Sequence, residues 1–391
     1  MDGTKRGFTL VEILIAIAIL GILSAASFVA INPSERFKQS RDTERVADIS
    51  NLNTLISQKR YSHVRRDLGN AQVVYISLPD TSATCSSYTL PTLPSGWSYA
   101  CVAQEDVLNV DGTGWLPVDI SESRAMSALP LDPLNTQDYF YAYTIDSNEA
   151  FVLTSALESE EKLKGTATTD GGNDDVRFEK GTNLALWSET LSLLGKWNLN
   201  DGSGSVAKDA SSEQNDGTVY SGVWEQEDCI SGGCLSFSGA TWVDLGNLGD
   251  PNAGTIALWF KKPNINSGAQ YFLDGRGTGN WWFLQDYVSG SCTDSNGNAC
   301  FYGRVQAPSS SFSNNTWHHL VLTTDGSASN IYVDGDLISS GSGLDPNFTS
   351  VRVGARYTTT SFFVGTMDEI ALYGRALTAT EINSLYKAQS E

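Results

Sequence analysis

The side chains able to do chemistry include three histidines and six cysteines, set in a chain rich in carboxylates. His318 and His319 are adjacent on a predicted strand, where successive side chains point to opposite faces. They cannot form one metal or catalytic pair; one belongs in the core and the other at the surface. No G-x-S-x-G elbow, H-E-x-x-H helix or phosphate-binding loop occurs, so no catalytic residue is assigned and the chain is read as a non-enzyme. The cysteines fall into three local couples, Cys85 with Cys101, Cys229 with Cys234, and Cys292 with Cys300, and read as disulfides. None of the histidines has zinc-ligand spacing to them. The segment between Cys292 and Cys300 alternates oxygen side chains like a calcium loop. Val305 stands where an EF-hand needs its bidentate Glu, and Ala299 where it needs Gly, so this is a disulfide-closed surface loop.

Glu12 requires a different explanation. From Phe8 to Ile31 it is the one charge in an apolar run that covers roughly 36 Å as a helix rising about 1.5 Å per residue. A bilayer core is about 30 Å thick, so the run is read as a transmembrane helix. Lys5 and Arg6 precede it and hold the short leader in the cytoplasm, which places residues 34–391 outside. An acid at mid-bilayer costs about 2.5–3.5 kcal/mol and calls for a partner. Cutting the chain after Gly7 would supply one, because the new amino group of Phe8 lies within a helical turn of Glu12.

The stretch Gly7-Phe8-Thr9-Leu10-Val11-Glu12 resembles the type III signal of type IV prepilins and type II secretion pseudopilins. The resemblance implies a prepilin peptidase that cuts between Gly7 and Phe8, N-methylation of Phe8, and pairing of Glu12 with the amine of an adjacent subunit. An ordinary secretory signal ending near Ser24–Ala26 fits less well, because its apolar core is usually about 7–15 residues and has no use for Glu12.

The formal net charge of −20 argues against a nucleic-acid partner and against electrostatic adhesion to anionic lipid heads. Expected boundaries are a leader at 1–7, a long helix at 8–60 with its transmembrane part at 8–31, a head at 61–164, a linker at 165–189, and a last domain at 190–391. Pro33 should kink the helix or melt a turn of it. Beyond it Phe37, Val46, Ile49, Leu52, Leu55 and Ile56 recur on one face. Short β-rich runs from Val73 to Leu157 then predict an α+β head with an antiparallel sheet. Leu129-Pro130-Leu131-Asp132-Pro133 followed by Tyr139-Phe140-Tyr141 is similar to the stretch before the late strands of pseudopilin heads. Gly171, Gly172 and three aspartates make 165–188 read as a connector.

From Leu194 onward eight or more short strands predict an all-β sandwich, closed by a helix from Ala379 to Lys387 with Thr378 as N-cap and Glu381 completing a capping box. Trp197-Asn198-Leu199-Asn200-Asp201-Gly202, Trp317-His318-His319-Leu320-Val321 and Ile331-Tyr332-Val333-Asp334-Gly335 resemble the laminin G-like, concanavalin A-like jelly roll. That resemblance implies one structural Ca²⁺, with Asp201, Asp209 and Asp368 in comparable segments. It also implies ligand binding through exposed aromatics, for which the candidates are Trp281, Trp282, Tyr287, Tyr302, Arg304 and Tyr357. The combined expectation is a minor pilin-like subunit that passes from the bacterial inner membrane to an extracellular filament. Its partners would be other pilin or pseudopilin subunits, and it would display a lectin-like domain to a surface glycan or protein. The alternatives are a secretion pseudopilin acting in export and an unassembled membrane-anchored lectin.

Overall fold

The computed structural model describes residues 10–61, 67–91, 93–94, 96–172, 174–187, 192–211, 213–265, 270–275, 283–287, 298–301, 305–343 and 346–390. Helix α1, Leu10–Ile31, and helix α2, Pro33–Tyr61, are separated by Asn32 alone. Pro33 has no amide proton and disfavours helical backbone in the residue before it, and Asn32 takes a left-handed φ of 43°. Asn32 then accepts from the Glu35 amide at 3.5 Å, so the break caps the next helix. The side chains described in α1, Leu10 to Leu20, are all exposed. Taken over the described residues, no helix is long and apolar enough to cross a membrane. The side chains of residues 21–31, the second half of the expected span, lie outside the described set.

Helix α2 lays Ile49, Leu52, Leu55 and Ile56 against a head sheet made of β1 Val73–Ile76, β2 Ser98–Ala100, β3 Tyr141–Ile145, β4 Phe151–Ala156 and β5 Arg177–Gly181. The strand order is β2-β1-β3-β4-β5. The expected antiparallel sheet has one exception, since β1 and β2 pair in parallel. A larger correction concerns 165–189. It is not a plain linker: Ala167–Thr169 forms a 3-10 turn and β5 completes the sheet on β4. Its aspartates organise this backbone. Asp170 accepts from the Glu179 and Gly172 amides, and Asp174 from the Val176 amide and the Trp187 indole.

A buried ion cluster locks α2 to the head. Arg45 bonds Asp132 through two nitrogens at 2.7 and 2.8 Å and also reaches Asp42 and Glu158. Asp42 in turn accepts from the Glu158 and Ser159 amides and the Ser159 hydroxyl, just before the short helix α3, Glu160–Gly165. Burial opposes the charge on Arg45, yet bonds to Asp132, Glu158 and Asp42 outweigh it and hold the guanidinium above its usual value.

The rest is a two-sheet β-sandwich. Its strands are β6 Leu193–Trp197, β7 Val206–Ala207, β8 Gly217–Tyr220, β9 Val223–Glu225, β10 Cys234–Ser238, β11 Trp242–Gly246, β12 Gly254–Lys261, β13 Gln270–Asp274, β14 Phe283–Tyr287, β15 Asn298–Phe301, β16 Val305–Ala307, β17 Trp317–Thr324, β18 Ala328–Val333, β19 Asp336–Ser342, β20 Val351–Val353 and β21 Val364–Tyr373. One sheet runs β19-β18-β17-β12-β21-β10-β9, with β6 also on β21; the other runs β16-β15-β14-β13-β20-β11-β8-β7. Alternating residues of both sheets, among them Phe237, Val243, Phe260, Phe272, Leu322 and Val353, meet in one core with Phe363, which precedes β21.

The final helix α4, Ala379–Gln389, begins at Thr378 with the capping box complete. It lies across the outer face of the first sheet, where Ile382, Leu385 and Ala388 join Ala257, Val321 and Tyr332 in a cluster that continues into the head core. Head and sandwich therefore share apolar packing through α4, reinforced by an ion pair between Lys196 of β6 and Asp175 of the head. The same helix corrects the expectation for the histidines. Their rings do take opposite faces, but both are buried, because His319 lies under Tyr386 of α4 and beside Trp259. His318 closes a turn, accepting from the Ser313 amide and pairing with Asp334.

Candidate functional site

A strand pairing its neighbours in register presents every second residue outward. On the second sheet this puts Val219, Val243, Leu273 and Val353 into the core. The pairs Trp242 with Tyr220 and Asp244 with Thr218 then face away from it, and Arg352 lies between Asp244 and Asp274 in register. Tyr220 and Trp242 stack with ring centroids 4.1 Å apart and an interplanar angle of 5°. The Arg352 guanidinium sits 5.0 Å from the Trp242 ring centroid, within cation–π range. Arg352 also donates to the Tyr357 carbonyl, while the Tyr357 amide donates to the buried Asp274 carboxylate at 2.9 Å. These bonds hold the turn after β20 against the sheet, with the Tyr357 ring 44% exposed. The result is a stacked aromatic platform in which Trp242 lies between the Tyr220 ring and the Arg352 guanidinium, so that its open face is the outer face of the exposed Tyr220. Chemically the Tyr220 face, backed by Trp242, can stack on the apolar face of a ring, and the Tyr220 hydroxyl can hydrogen-bond to groups beside it.

Of the aromatic and arginine candidates named from the sequence, Tyr357 lies beside this platform. Trp281, Trp282, Tyr302 and Arg304 lie outside the described residues, and Tyr287 is described only as backbone within β14. Tyr220, Trp242 and Arg352 were missed. The signal available was the alternation in Gly217–Tyr220 and Trp242–Gly246, but only strand pairing brings Tyr220 onto Trp242.

The three aspartates assigned to calcium do not converge. Asp201 accepts from the Lys208 amide, Asp209 from the Lys196, Ser211 and Asn215 amides, and Asp368 from the Ile230 and Ser231 amides. Among the described residues no group of three or more His, Cys, Asp or Glu side chains could hold a metal ion. Each carboxylate instead ties down a loop. Burial pushes Asp368 up to about 7 and its neighbour Glu369 up to about 8.

Gly7 and Phe8 lie outside the described residues; Glu12 stands in the first turn of α1 with its side chain exposed. Disulfides join Cys85 to Cys101, with Cα atoms 5.3 Å apart, and Cys229 to Cys234, at 5.5 Å. Cys300 is described only as part of β15 and Cys292 lies outside the described residues.

Residues 3–28 match the prokaryotic N-terminal methylation motif, and residues 236–383 match the concanavalin A-like lectin/glucanases superfamily. No curated protein matches the chain significantly. Among solved structures, domain 4 of AbnA, an extracellular arabinanase from Geobacillus stearothermophilus held in complex with arabinotriose, is 17% identical, with 50% of this chain and 98% of that one covered and a TM-score of 0.40. Trypanosoma rangeli sialidase is 15% identical over 64% of this chain and 48% of its own, with a TM-score of 0.40. The binding domain of botulinum neurotoxin serotype G is 14% identical over 50% of each chain, with a TM-score of 0.35. This chain thus spans about half the length of the sialidase and neurotoxin chains.

Proposed function

We propose, for a chain that joins a prepilin-type methylation motif to a concanavalin A-like domain, that it is a minor subunit of a type IV pilus-like filament and presents a carbohydrate-binding sandwich at the cell surface. Processing between Gly7 and Phe8 releases the amino group that Glu12 of a neighbouring subunit meets during assembly. The apolar stretch 8–31 holds the chain in the membrane before assembly and in the filament core afterwards. The sandwich works by binding, not turnover.

The observation that carries the binding half is the contrast between the two outer sheet faces. Helix α4 and the head cover the first. The second carries the stacked Tyr220 and Trp242 with Arg352 and the exposed Tyr357. Aromatic rings supply contact area at small entropic cost, and the Tyr220 hydroxyl adds a hydrogen-bonding group, which together suit a sugar ring.

A glycan array probed with the full chain in detergent micelles tests this reading. The expected result is a restricted set of bound glycans whose signals fall at least tenfold on Trp242→Ala, equivalent to about 1.4 kcal/mol. Unchanged binding by a folded Trp242→Ala protein would remove the platform from the proposal. In cells, loss of attachment on deletion supports the adhesive role, whereas loss of secretion with attachment intact points to an export pseudopilin.

A further inference from the structure

A cavity of about 330 Å³ lies between the head and the start of α4, remote in sequence from the sheet-face platform. Arg177, the first residue of β5, lines it and is 7% exposed. Its Nε donates to the Thr154 hydroxyl at 3.1 Å. The guanidinium is held between Phe140, at 5.2 Å, and Trp187, at 4.8 Å. Its Nη2 is buried and makes no hydrogen bond, and no carboxylate pairs with Arg177 among the described residues. That nitrogen has no surface open to the cavity, so it is the guanidinium as a whole, held between two rings and without an ion-pair partner among the described residues, that offers positive charge to the space Arg177 lines.

The nearby acids are already committed. Asp174 accepts from the Trp187 indole and the Val176 amide. Glu381 pairs with Arg375 through both oxygens and also accepts from the Thr378 amide. Burial pushes Arg177 below its ordinary value, with Asp174 and Glu381 only partly opposing it, so an incoming anion would meet positive charge that is poorly compensated. Asp138 and Glu381 on the same walls disfavour a doubly charged phosphate more than a single carboxylate. Tyr99, Thr380 and Ser384 complete the lining with one aromatic ring and two hydroxyls. The volume sits at the small end of ligand pockets, which run from about 300 to 1,000 Å³, and so suits a single sugar better than a chain of them.

We propose that this cavity binds a single acidic sugar of the uronic-acid class, its carboxylate received by the Arg177 guanidinium and its hydroxyls by Thr380 and Ser384. The site is built jointly by the head and the last helix of the sandwich, so occupancy would also couple the two. It stands apart from the sheet-face platform and does not depend on it.

Isothermal titration calorimetry on the full chain in detergent micelles, with D-galacturonate, D-galactose and acetate as separate titrants, tests the assignment. Galacturonate is expected to bind at least tenfold more tightly than galactose, which lacks the carboxylate, and than acetate, which lacks the ring. Arg177→Met should abolish the galacturonate heat. Ser384→Phe, which fills the cavity from α4 and keeps Arg177, should abolish it as well and decides the matter should Arg177→Met fail to fold. Absence of binding to the unaltered protein, galactose binding as well as galacturonate, acetate binding as well as galacturonate, or retained binding in folded Ser384→Phe would each overturn the proposal.

Discussion

Glu369 shows how a single buried carboxylate couples this protein to pH. It is 5% exposed at the junction of β21, β6 and α4, near Lys196, Asp175 and Gln389. Burial raises its carboxyl to about 8, with Lys196 opposing. A raised folded value means that the native state keeps a proton the unfolded chain has already lost above about pH 4.3. Stability from this group is therefore full below about pH 4 and is lost as pH rises toward 8. His319 acts in the opposite sense. Burial lowers it to about 3, so its contribution is lost as pH falls from about 6.5 toward 3. The variant Glu369→Gln isolates the first effect. Denaturant unfolding at pH 5 and pH 8 should show that the unaltered protein loses more stability over this interval than Glu369→Gln does. The expected difference is on the order of 1–3 kcal/mol, because each tenfold change in proton affinity between the folded and unfolded chain is worth about 1.4 kcal/mol. Equal pH dependence in both proteins would mean that the carboxyl ionises normally.

At the scale of elements, α2 is held to the head by one apolar face and one ion cluster, and the cluster is the more sensitive of the two to substitution. Arg45, Asp42 and Asp132 are fully buried, and Glu158 nearly so. Removing one partner of a buried ion pair strands the other charges and costs about 3–5 kcal/mol, whereas replacing the whole set with apolar groups can be neutral. Arg45→Ala should therefore lower unfolding free energy by about 3–5 kcal/mol in denaturant titrations followed by circular dichroism. A loss below about 1 kcal/mol would show that water enters and solvates the stranded carboxylates. Both the apolar face of α2 from Ile49 to Ile56 and the Thr378 capping box were legible in the sequence, because they are local patterns, whereas Phe37, expected on the same face, is exposed. The Arg45 cluster was not: its partners come from positions separated by up to 113 residues, and nothing local in Asp132 or Glu158 marks them for burial.

For the molecule as a whole, shared packing through α4 bears on the filament position proposed for it. The expected linker was short, and the structure makes the constraint stronger, since β5 belongs to the head sheet and α4 bridges head and sandwich. The sandwich is thus carried against the head instead of swinging on a tether. A filament that packs N-terminal helices side by side crowds successive heads, and a second body fixed beside each head adds to that crowding. This favours a position with few neighbours, at a tip or as an occasional decoration. Quantitative mass spectrometry of sheared filaments should find this chain well below the most abundant pilin; finding it as the most abundant would refute the minor-subunit reading.

By itself the sequence determined what depends on neighbours along the chain. That includes the N-terminal methylation motif, the helix break at Pro33, the cysteine couples Cys85–Cys101 and Cys229–Cys234, the last helix with its cap, and the order of a helical module before an all-β one. Each is a pattern a few residues long, and backbone sterics, periodicity and loop closure act at that range. What only the tertiary structure decided depends on faces meeting across the chain. It turned a supposed connector into strand β5, buried His319 beneath α4, and committed Asp201, Asp209 and Asp368 to different backbone amides. It also stacked Tyr220 on Trp242 and left Arg177 facing a cavity between two modules. Burial and partnership are properties of packed surfaces, and a residue's own neighbours in sequence do not determine which surface it will meet.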